Sequence, residues 1–388
     1  MPNLPGLEIE AAASTTWAKP AGGSKIEWTG PTLNCLAGCS PKSPGCRHCY
    51  AKGQVHRFAA MHYMGKPGLL VLNEHKKHEG LTFLPRDRKT GSPLGLGAQW
   101  TGAIACLPHK LMDPLRRTKG TTWFSNSVSD IGYEPLFETD FGKRFVAAMF
   151  GLFTVCPAHL FQILTKRMDT LLKWFAWAEA EAARRGLSVP GMCVEELRRE
   201  LLRAADEARL SDSSSRWAKE LRAAEIDVAA RWSFAAGKWA PSHLDSAQKR
   251  AIKHGCLELN TEWPRRNIHV GVSVEGRPWV SRIEELRRAP AALRFLSLEP
   301  LIEQIGDVDL SGIDWAIWGG ESGDGARECE IEWLRSGVEL CRRDGVIPFV
   351  KQLGARPLLG GKPYPITDAK GGVMADWPAD LRVREMPL

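Results

Sequence analysis

The sequence predicts an α/β protein, a full or partial (β/α) barrel interrupted by a helical insertion. Its 388 residues contain six short apolar runs that end abruptly in small, polar or charged residues. Near-continuous apolar runs are typical of parallel strands covered on both faces. Helical patterns lie between the runs, and this alternation indicates repeated right-handed βα units. Six or more units favour a barrel, and an open doubly wound sheet is the alternative.

The predicted strands share one form, a β-rich stretch followed by a polar end. They lie in segments 121–130, 159–167, 267–275, 293–300, 313–323 and 348–354, with weaker candidates at 24–35 and 102–107. Apolar residues recur at helical spacing between the strands. This spacing predicts helices over 141–155, 278–288 and 331–343.

The chain divides into four predicted regions. Residues 24–177 form the N-terminal half of the barrel, and residues 261–355 form its C-terminal half. Residues 178–260 are a mostly helical insertion, whose amphipathic stripe is typical of a packing face. We expect this insertion to be a helical hairpin or a lid over the barrel mouth. Residues 64–100 are predicted to form a long loop, and the extension 356–388 to wrap the surface.

The composition is that of a globular protein. Hydrophobic residues make up 44% of the chain and charged residues 25%, which argues against a disordered or fibrous chain. No run approaches the roughly 20 apolar residues of a membrane span. The first ten residues lack the basic-then-apolar order of a signal peptide. We therefore expect a cytoplasmic protein, in which the ten cysteines are thiols or metal ligands rather than disulfides.

The net charge of +7 is concentrated in the first third of the chain. Residues 1–120 carry 16 Lys and Arg against 7 Asp and Glu. A basic surface of this kind suits a polyanion such as nucleic acid, and a solvated face without a partner is the alternative. The same two interpretations apply to the basic part of the predicted loop. Its basic residues are His75, Lys76, Lys77, His78, Arg86, Arg88 and Lys89.

A cluster of four cysteines gives the strongest indication of a functional site. Cys35, Cys39, Cys46 and Cys49 lie close together and are followed directly by Tyr50, between the first predicted strand and the first helix. In a βα barrel this loop lies on the rim where sites are built. Three interpretations are open: a structural zinc site with four thiolates, an iron–sulfur centre with three protein ligands and one open iron, and unliganded thiols.

The segment KIEWTGPTLNCLAGCSPKSPGCRHCYA (25–51) resembles the opening of a phage-associated, radical SAM-like family of uncharacterised function. That family has a Trp and an Asn ahead of the pattern C-x6-C-x2-C-Y, which Cys39, Cys46, Cys49 and Tyr50 match. The family often has Pro at the position of Cys35, which implies that Cys35 is not an essential ligand. The resemblance continues in order through 125–130, 164–167, 271–275, 297–301, 314–327 and 349–354.

This resemblance implies a barrel of the radical SAM type, with a [4Fe–4S] cluster on Cys39, Cys46 and Cys49 and S-adenosylmethionine on the fourth iron. In similar enzymes the reduced cluster cleaves S-adenosylmethionine to a 5′-deoxyadenosyl radical, which abstracts a substrate hydrogen. The first gap is longer here than the commonest spacing of that superfamily. We expect a nucleic acid or nucleotide as substrate, an electron donor protein as partner, and a bacterial or phage-infected cytoplasm as the location.

Polar residues at the predicted strand ends complete the expected site, because the ends of parallel strands meet at one rim of a barrel. Their mixed charges suit S-adenosylmethionine, which carries ammonium, carboxylate and hydroxyl groups. The residues expected to bind the cofactor are Tyr50, Ser125, Ser127, Lys166, Glu275, Glu299, Gly319, Gly320 and Glu321. The residues assigned to a substrate are Asp130, Arg167 and Lys351.

Gly319, Gly320 and Glu321 resemble the Gly-Gly-Glu that contacts the methionine amine in radical SAM enzymes. There the motif follows an early strand, whereas here it follows a late one. Glycines at this position permit a close backbone approach. The alternative function is that of a zinc-stabilised nucleic-acid-binding protein without catalytic activity.

Overall fold

The computed structural model describes residues 26–63, 66, 68–74, 78–87, 89–235 and 262–387. Its strands are β1 (Leu36–Ala37), β2 (Leu70–Leu72), β3 (Thr82–Phe83), β4 (Gln99–Trp100), β5 (Ile104–Cys106), β6 (Thr122–Ser125), β7 (Leu160–Thr165), β8 (Ile268–Ser273), β9 (Leu293–Leu298), β10 (Trp315–Gly319), β11 (Cys329–Glu330), β12 (Ile347–Gln352), β13 (Pro357–Leu359) and β14 (Lys362–Pro363). Its α-helices are α1 (Tyr50–Phe58), α2 (Pro135–Glu138), α3 (Asp140–Val155), α4 (Met168–Arg184), α5 (Val189–Ser211), α6 (Arg216–Ala235), α7 (Ser281–Arg287) and α8 (Ile331–Asp344). The predictions made for His75, Lys76, Lys77, Arg88 and the end of the insertion (236–260) lie outside the described residues.

Six strands form a parallel sheet that curls into a half-barrel. They pair in the order β12-β10-β9-β8-β7-β6, so that each strand lies beside the next strand of the sheet along the chain. This sequential order is that of a barrel, whereas a doubly wound sheet reverses its strand order at a switch point. The prediction of a partial (β/α) barrel is therefore confirmed, and the doubly wound alternative is wrong.

Irregular chain covers both edges of the half-barrel. Residues 31–33, in the weakly predicted first strand, run parallel to β6 and exchange backbone hydrogen bonds with Phe124. At the opposite edge Val350 N donates to Val383 O (2.8 Å), so the C-terminal extension covers β12. Covered edges do not pair with strands of other chains. The weak strand predicted at 102–107 does form, as β5, but in a separate antiparallel sheet with β1 and β2.

Side chains along each strand point alternately to the two faces of the sheet, and each face packs against its own apolar core. One face of the sheet packs against helices, and Trp123 and Trp318 lie in this outer core. The other face is concave, and a cluster of mainly aromatic side chains fills its base as a plug. The plug consists of Trp28, Phe124, Phe295, Trp315, Ile317 and Phe349. Because a strand has a side-chain period of two, neighbouring residues such as Trp123 and Phe124 enter different cores.

The predicted helices between the strands are confirmed, and their ends follow the expected signals. Thr139 Oγ1 accepts a hydrogen bond from Gly142 N (3.0 Å) and caps the start of α3. Helix α8 ends at Gly345, which has a φ of 72°, a left-handed conformation that favours glycine. Among the described residues, no helix has both the length and the apolar composition that crossing a membrane requires.

The described part of the insertion, residues 178–235, is a helical hairpin. Helices α5 and α6 pack against each other across the short connection 212–215, and α5 packs on α3 of the outer helix layer. Leu197 and Leu201, from the predicted amphipathic stripe, are fully buried. No residue of 178–235 lines the cavities at the strand ends. This part of the insertion therefore supports the barrel from outside and is not a lid over its mouth.

Candidate functional site

The polar residues predicted at the strand ends lie along one edge of the half-barrel. Lys166 directly follows β7, Glu299 directly follows β9, and Glu275 lies two residues beyond β8. All six strands are parallel, so their carboxyl ends meet at this edge, as the sequence predicts. The same edge carries Ser125, Ser127, Asp130, Arg167, Gly319, Gly320, Glu321 and Lys351.

The cysteines of the family pattern lie on the loop that connects β1 to α1, which we call the cysteine loop. Cys39 follows β1, Cys46 ends a short 3₁₀ turn, and Cys49 immediately precedes α1. These three residues are partly exposed. Cys35 is instead fully buried in the outer core, where burial raises the pKa of its thiol. Cys35 therefore packs as an apolar side chain.

Two adjoining cavities, here named chamber one and chamber two, lie beside the cysteine loop. Chamber one has a volume of about 170 Å³, and Cys39, Cys46 and Cys49 line it. Chamber two has a volume of about 220 Å³, and Cys46 and Cys49 line it as well. The residues common to both chambers are Cys46, Cys49, Tyr50, Phe124, Leu164 and Lys166. Two of the cysteines thus lie in the wall between the chambers.

Arg167 fastens the Cys39 end of the loop to the end of β7. Its side chain is 2% exposed and donates to Ser40 O (2.8 Å), Ser40 Oγ (3.1 Å) and Cys39 Sγ (3.8 Å). The same guanidinium pairs with Asp130 (3.0 Å) and Glu134 (2.8 Å). The sequence assigns Arg167 to a substrate, but these five hydrogen bonds are all to groups of the protein. Arg167 therefore acts on the cysteine loop.

Asp130, the second residue assigned to a substrate, is also engaged within the protein. It accepts hydrogen bonds from Thr165 Oγ1 (2.5 Å) and from Lys166 N (3.0 Å), besides its contact with Arg167. Burial raises the pKa of the Cys39 thiol to about 12 and Asp130 adds to this rise, whereas Arg167 opposes it. The pair thus shapes the electrostatic environment of Cys39.

A buried ion network lies under the middle of the cysteine loop. Glu275 has no exposed surface, and its carboxylate pairs with Lys166 and with Arg282 (3.0 Å). Ser43 Oγ donates to the same carboxylate at 2.5 Å. Burial raises the pKa of Glu275, but Lys166, Ser43 and Arg282 together hold it below its usual value. Burial likewise raises the pKa of Cys46, and Lys166 with hydrogen bonds from the loop more than offsets that rise, which favours a thiolate.

Glu321 and Arg327 fasten the other end of the cysteine loop to the end of β10. Arg327 donates to the Glu321 carboxylate through its backbone N–H (2.9 Å) and its guanidinium (2.8 and 2.6 Å). It also donates to Pro44 O (3.1 Å), and His48 Nδ1 lies 3.3 Å from the Glu321 carboxylate. Burial raises the pKa of Glu321, but Arg327 and His48 hold it below its usual value.

Glu299 and Lys351 form an ion pair on the wall of chamber two. Their side chains are 17% and 13% exposed, so the pair borders the cavity while remaining partly accessible. Lys351 Nζ also lies 3.6 Å from a carboxylate oxygen of Glu27. Among the predicted charged residues, this pair is therefore well placed to meet a bound molecule in chamber two.

Chamber one is bordered by buried polar atoms that lack partners. Asn126 is 4% exposed, and neither atom of its carboxamide has a hydrogen-bond partner among the described residues; the same is true of Ser129 Oγ. Ser127 donates to Asn34 Oδ1 through its N–H (2.8 Å) and its hydroxyl (3.1 Å). Ser125 is fully buried and lines neither chamber. Unpaired buried polar groups are costly, and Asn126 and Ser129 bring such groups to the lining of chamber one.

The two glycines of the Gly-Gly-Glu segment differ in their surroundings. A Cβ atom on Gly320 would lie 2.3 Å from Leu353 O, whereas the nearest contacts of a Cβ atom on Gly319 would be ordinary ones at 3.4 Å. The close approach of the chain at Leu353 therefore requires glycine at position 320. Gly320 lines chamber two together with Glu321.

Several residues that hold the site were missed by sequence reasoning. They are Asn34, Ser43, His48, Arg282 and Arg327. Asn34, Ser43, His48 and Arg327 lie in segments that carry the family resemblance, which was the available signal. The partners of these four residues are distant along the chain, as for Arg327 and Pro44, which are separated by 283 residues. Arg282 instead pairs with Glu275, which lies seven residues before it.

The basic loop makes local contacts in the part that the structure describes. His78 stacks on Phe83 with a ring-centroid distance of 3.9 Å. Arg86 donates to Gly91 O at 2.9 Å, and Lys89 N donates to Asp87 at 2.9 Å. These contacts join residues within the described part of the loop, and a nucleic-acid partner for it stays a prediction.

Comparison with known proteins assigns the chain to a family. A family model described as "Protein of unknown function (DUF5131)" matches residues 23–360, which include the cysteine loop and every strand of the half-barrel. No curated protein and no solved structure gives a significant match. The chain therefore belongs to the DUF5131 family of proteins of unknown function.

Proposed function

We propose that this protein is a radical SAM-like iron–sulfur protein that binds a [4Fe–4S] cluster on Cys39, Cys46 and Cys49 and S-adenosylmethionine on the open iron. One observation carries the proposal: the three thiols of the cysteine loop line a single chamber at the strand ends, whereas Cys35 is buried in the core. Three thiolates leave one iron of a four-iron cluster free for a small molecule. A closed zinc site with four thiolates would need Cys35 as well.

The donor set suits a cluster. Within the described ranges, no three His, Cys, Asp or Glu side chains lie close enough together to ligate one metal ion. A four-iron cluster does not require the three thiols to converge on one ion, because each of its cysteines binds a different iron. Lys42 N lies 3.5 Å from Cys46 Sγ, and Arg167 donates to Cys39 Sγ. Hydrogen bonds to ligand sulfurs are typical of tuned cluster sites.

The chambers offer groups that complement S-adenosylmethionine. Asn126 and Ser129 present unpartnered polar atoms beside chamber one, and Glu299 and Lys351 present opposite charges to chamber two. Such groups bind and orient amino, carboxylate and hydroxyl groups. Lys166, which lines both chambers, lies near Cys46 and lowers the pKa of its thiol. When bound and reduced, the cofactor pair supplies a 5′-deoxyadenosyl radical that abstracts a hydrogen atom from the substrate.

The plug gives the chambers an apolar inner side. Phe124 belongs to the plug and lines both chambers, and Leu164 packs against the plug and lines both as well. Exclusion of water protects a reactive intermediate from side reactions. The charged loops are thus proposed to bind the ligands, and the apolar plug is proposed to exclude water from them.

We extend the proposal to a nucleic acid or nucleotide substrate and to an electron donor protein as partner. The support is the excess of basic residues in the first third of the chain, which also holds the cysteine loop. A reduced cluster in turn requires an external source of electrons.

The proposal is tested by anaerobic reconstitution with iron and sulfide, followed by dithionite and S-adenosylmethionine, with 5′-deoxyadenosine measured by chromatography. We expect 5′-deoxyadenosine to form only when the protein, the reductant and S-adenosylmethionine are all present. A colourless protein that holds one zinc ion and releases no 5′-deoxyadenosine would overturn the proposal in favour of a zinc-stabilised nucleic-acid-binding protein.

A further inference from the structure

One residue that lines chamber two carries a buried hydrogen-bond donor without an acceptor. Trp28 lines this chamber, its side chain is 2% exposed, and its indole N–H has no partner within the described residues. No role for Trp28 is predicted from the sequence, although a Trp precedes the cysteines in the family pattern. An unpaired buried N–H is costly, so a donor in this position indicates an acceptor on a bound molecule.

Packing fixes the orientation of the Trp28 ring. Its centroid lies 4.9 Å from that of Phe124 in an edge-to-face contact, and 5.9 Å from that of Trp315. Trp28 cannot turn to find another acceptor without disturbing the plug. The indole N–H groups of Trp123 and Trp263 also lack partners among the described residues, but these two residues line neither chamber. Trp28 differs from them because it has an unpaired indole N–H and also lines a cavity.

Chamber two is lined by both apolar and charged residues. Ile26, Phe124 and Leu164 pack with Trp28 and line the chamber. Glu299, Pro300, Gly320, Glu321 and Lys351 line it as well. A flat ring bearing a polar substituent suits such a mixed lining, because the ring packs on apolar side chains and the substituent meets charged ones.

A single N–H donor limits the kinds of acceptor atom that it can satisfy completely. A carbonyl oxygen has two lone pairs, and beside an apolar wall one donor leaves the second lone pair unsatisfied. An aromatic ring nitrogen has one lone pair in the plane of the ring, which one N–H satisfies. Adenine, guanine and cytosine carry such a nitrogen, whereas the ring nitrogens of uracil do not accept.

We propose that chamber two seats a nucleobase whose unprotonated ring nitrogen accepts a hydrogen bond from Trp28 Nε1. This inference rests on the proposed function and deepens it, because the base is carried either by the adenosyl group of S-adenosylmethionine or by a nucleotide substrate. Glu299 and Lys351 line the same chamber and are available to the polar substituents of the ligand in either case.

The test compares wild type with Trp28→Phe, which removes the N–H and keeps an aromatic ring in the plug. Binding of S-adenosylmethionine, adenosine, guanosine, cytidine and uridine is measured by calorimetry on both the reconstituted and the cluster-free protein. We expect at least one of the first four to bind, uridine to bind more weakly, and Trp28→Phe to weaken the bound ligand about 10-fold, as for a lost buried hydrogen bond. Trp123→Phe is the matched control, because it removes another unpaired indole N–H outside the chambers, and its affinity should equal that of wild type.

A second measurement needs no substitution, and it decides the matter if Trp28→Phe does not fold. The deaza analogues of the nucleoside that binds, such as 1-, 3- and 7-deazaadenosine, are compared with the parent on wild type. We expect one analogue to bind about 10-fold more weakly than the parent, because it lacks the accepting nitrogen. Equal binding of all analogues would overturn the proposal, as would equal affinity of the Trp28 and Trp123 variants or the absence of binding by every ligand.

Competition separates the two sources of the base. If the base belongs to the cofactor, S-adenosylmethionine displaces adenosine and no nucleoside binds beside it. If the base belongs to a substrate, a nucleoside binds in the presence of saturating S-adenosylmethionine. Failure of the proposed function can be distinguished from failure of this inference. Nucleoside binding that depends on Trp28 is measured on cluster-free protein and does not require iron.

Discussion

The two ends of the cysteine loop are held by arginines in different surroundings. Arg167 holds the Cys39 end; its side chain is 2% exposed and makes five hydrogen bonds, two of them to the carboxylates of Asp130 and Glu134. Arg327 holds the other end; its side chain is 26% exposed, and it joins Glu321 to Pro44 O. The end that is anchored by buried charge also receives a hydrogen bond at its sulfur. The Cys39 end is thus held by a more deeply buried arginine than the turn at Pro44, which Ser43 also joins to the buried Glu275.

The largest effect is expected at the buried anchor. Arg167→Met leaves Asp130 buried without its cation and frees Ser40, so the free energy of unfolding should fall by about 3–5 kcal/mol, as when one partner of a buried ion pair is removed. Urea denaturation followed by circular dichroism measures this change. Arg167→Lys restores the charge but not the forked geometry, and should recover part of the loss. A loss below about 1 kcal/mol in Arg167→Met would show that the buried anchor does not differ from an exposed one.

A smaller effect is expected at the exposed anchor. Arg327→Met removes the cation of a partly exposed pair, and His48 still lies beside Glu321. Because the Glu321 carboxylate is 6% exposed and loses its bonds from the guanidinium, the free energy of unfolding should fall by about 1–3 kcal/mol in the same urea experiment. Arg356→Met is the matched control, because Arg356 is 60% exposed in an ion pair with Glu328, and we expect almost no change there. If Arg327→Met costs as much as Arg167→Met, the comparison between the two ends fails.

Much of the fold could be predicted from the sequence because its signals are local. The polar ends of the apolar runs indicated which residues share the rim, and parallel strands bring those ends together regardless of loop detail. Glu275, Glu299 and Lys166 therefore lie where they were expected. The helical pattern that begins at Tyr50 also placed the cysteine loop between the first strand and the first helix.

The use of each rim residue could not be predicted, because it depends on partners that are distant in the chain. Arg167 meets Ser40 across 127 residues, and Lys166 meets Glu275 across 109. A pattern in one segment cannot show that another segment already occupies its donors. For the same reason, the sequence did not reveal that Trp28 would be left with an unpaired N–H beside a cavity.

The spacing of the cysteines left the role of Cys35 open. Its burial distinguishes it clearly from the three cysteines of the loop. Cys35 and Cys46 lie 11 residues apart, yet one is in the apolar core and the other borders both chambers. If a cluster binds here, removal of the Cys46 thiol must abolish iron binding, whereas removal of the Cys35 thiol must leave it unchanged. Cys106→Ala is the matched control for Cys35→Ala, because Cys106 is also fully buried in the outer core.

The iron content of the cysteine variants after anaerobic reconstitution tests the central claim most directly. We predict about four iron atoms per chain in wild type, Cys35→Ala and Cys106→Ala, and almost none in Cys39→Ala, Cys46→Ala and Cys49→Ala. Equal loss of iron in Cys35→Ala and Cys46→Ala, or one zinc ion per chain in place of iron, would contradict the account.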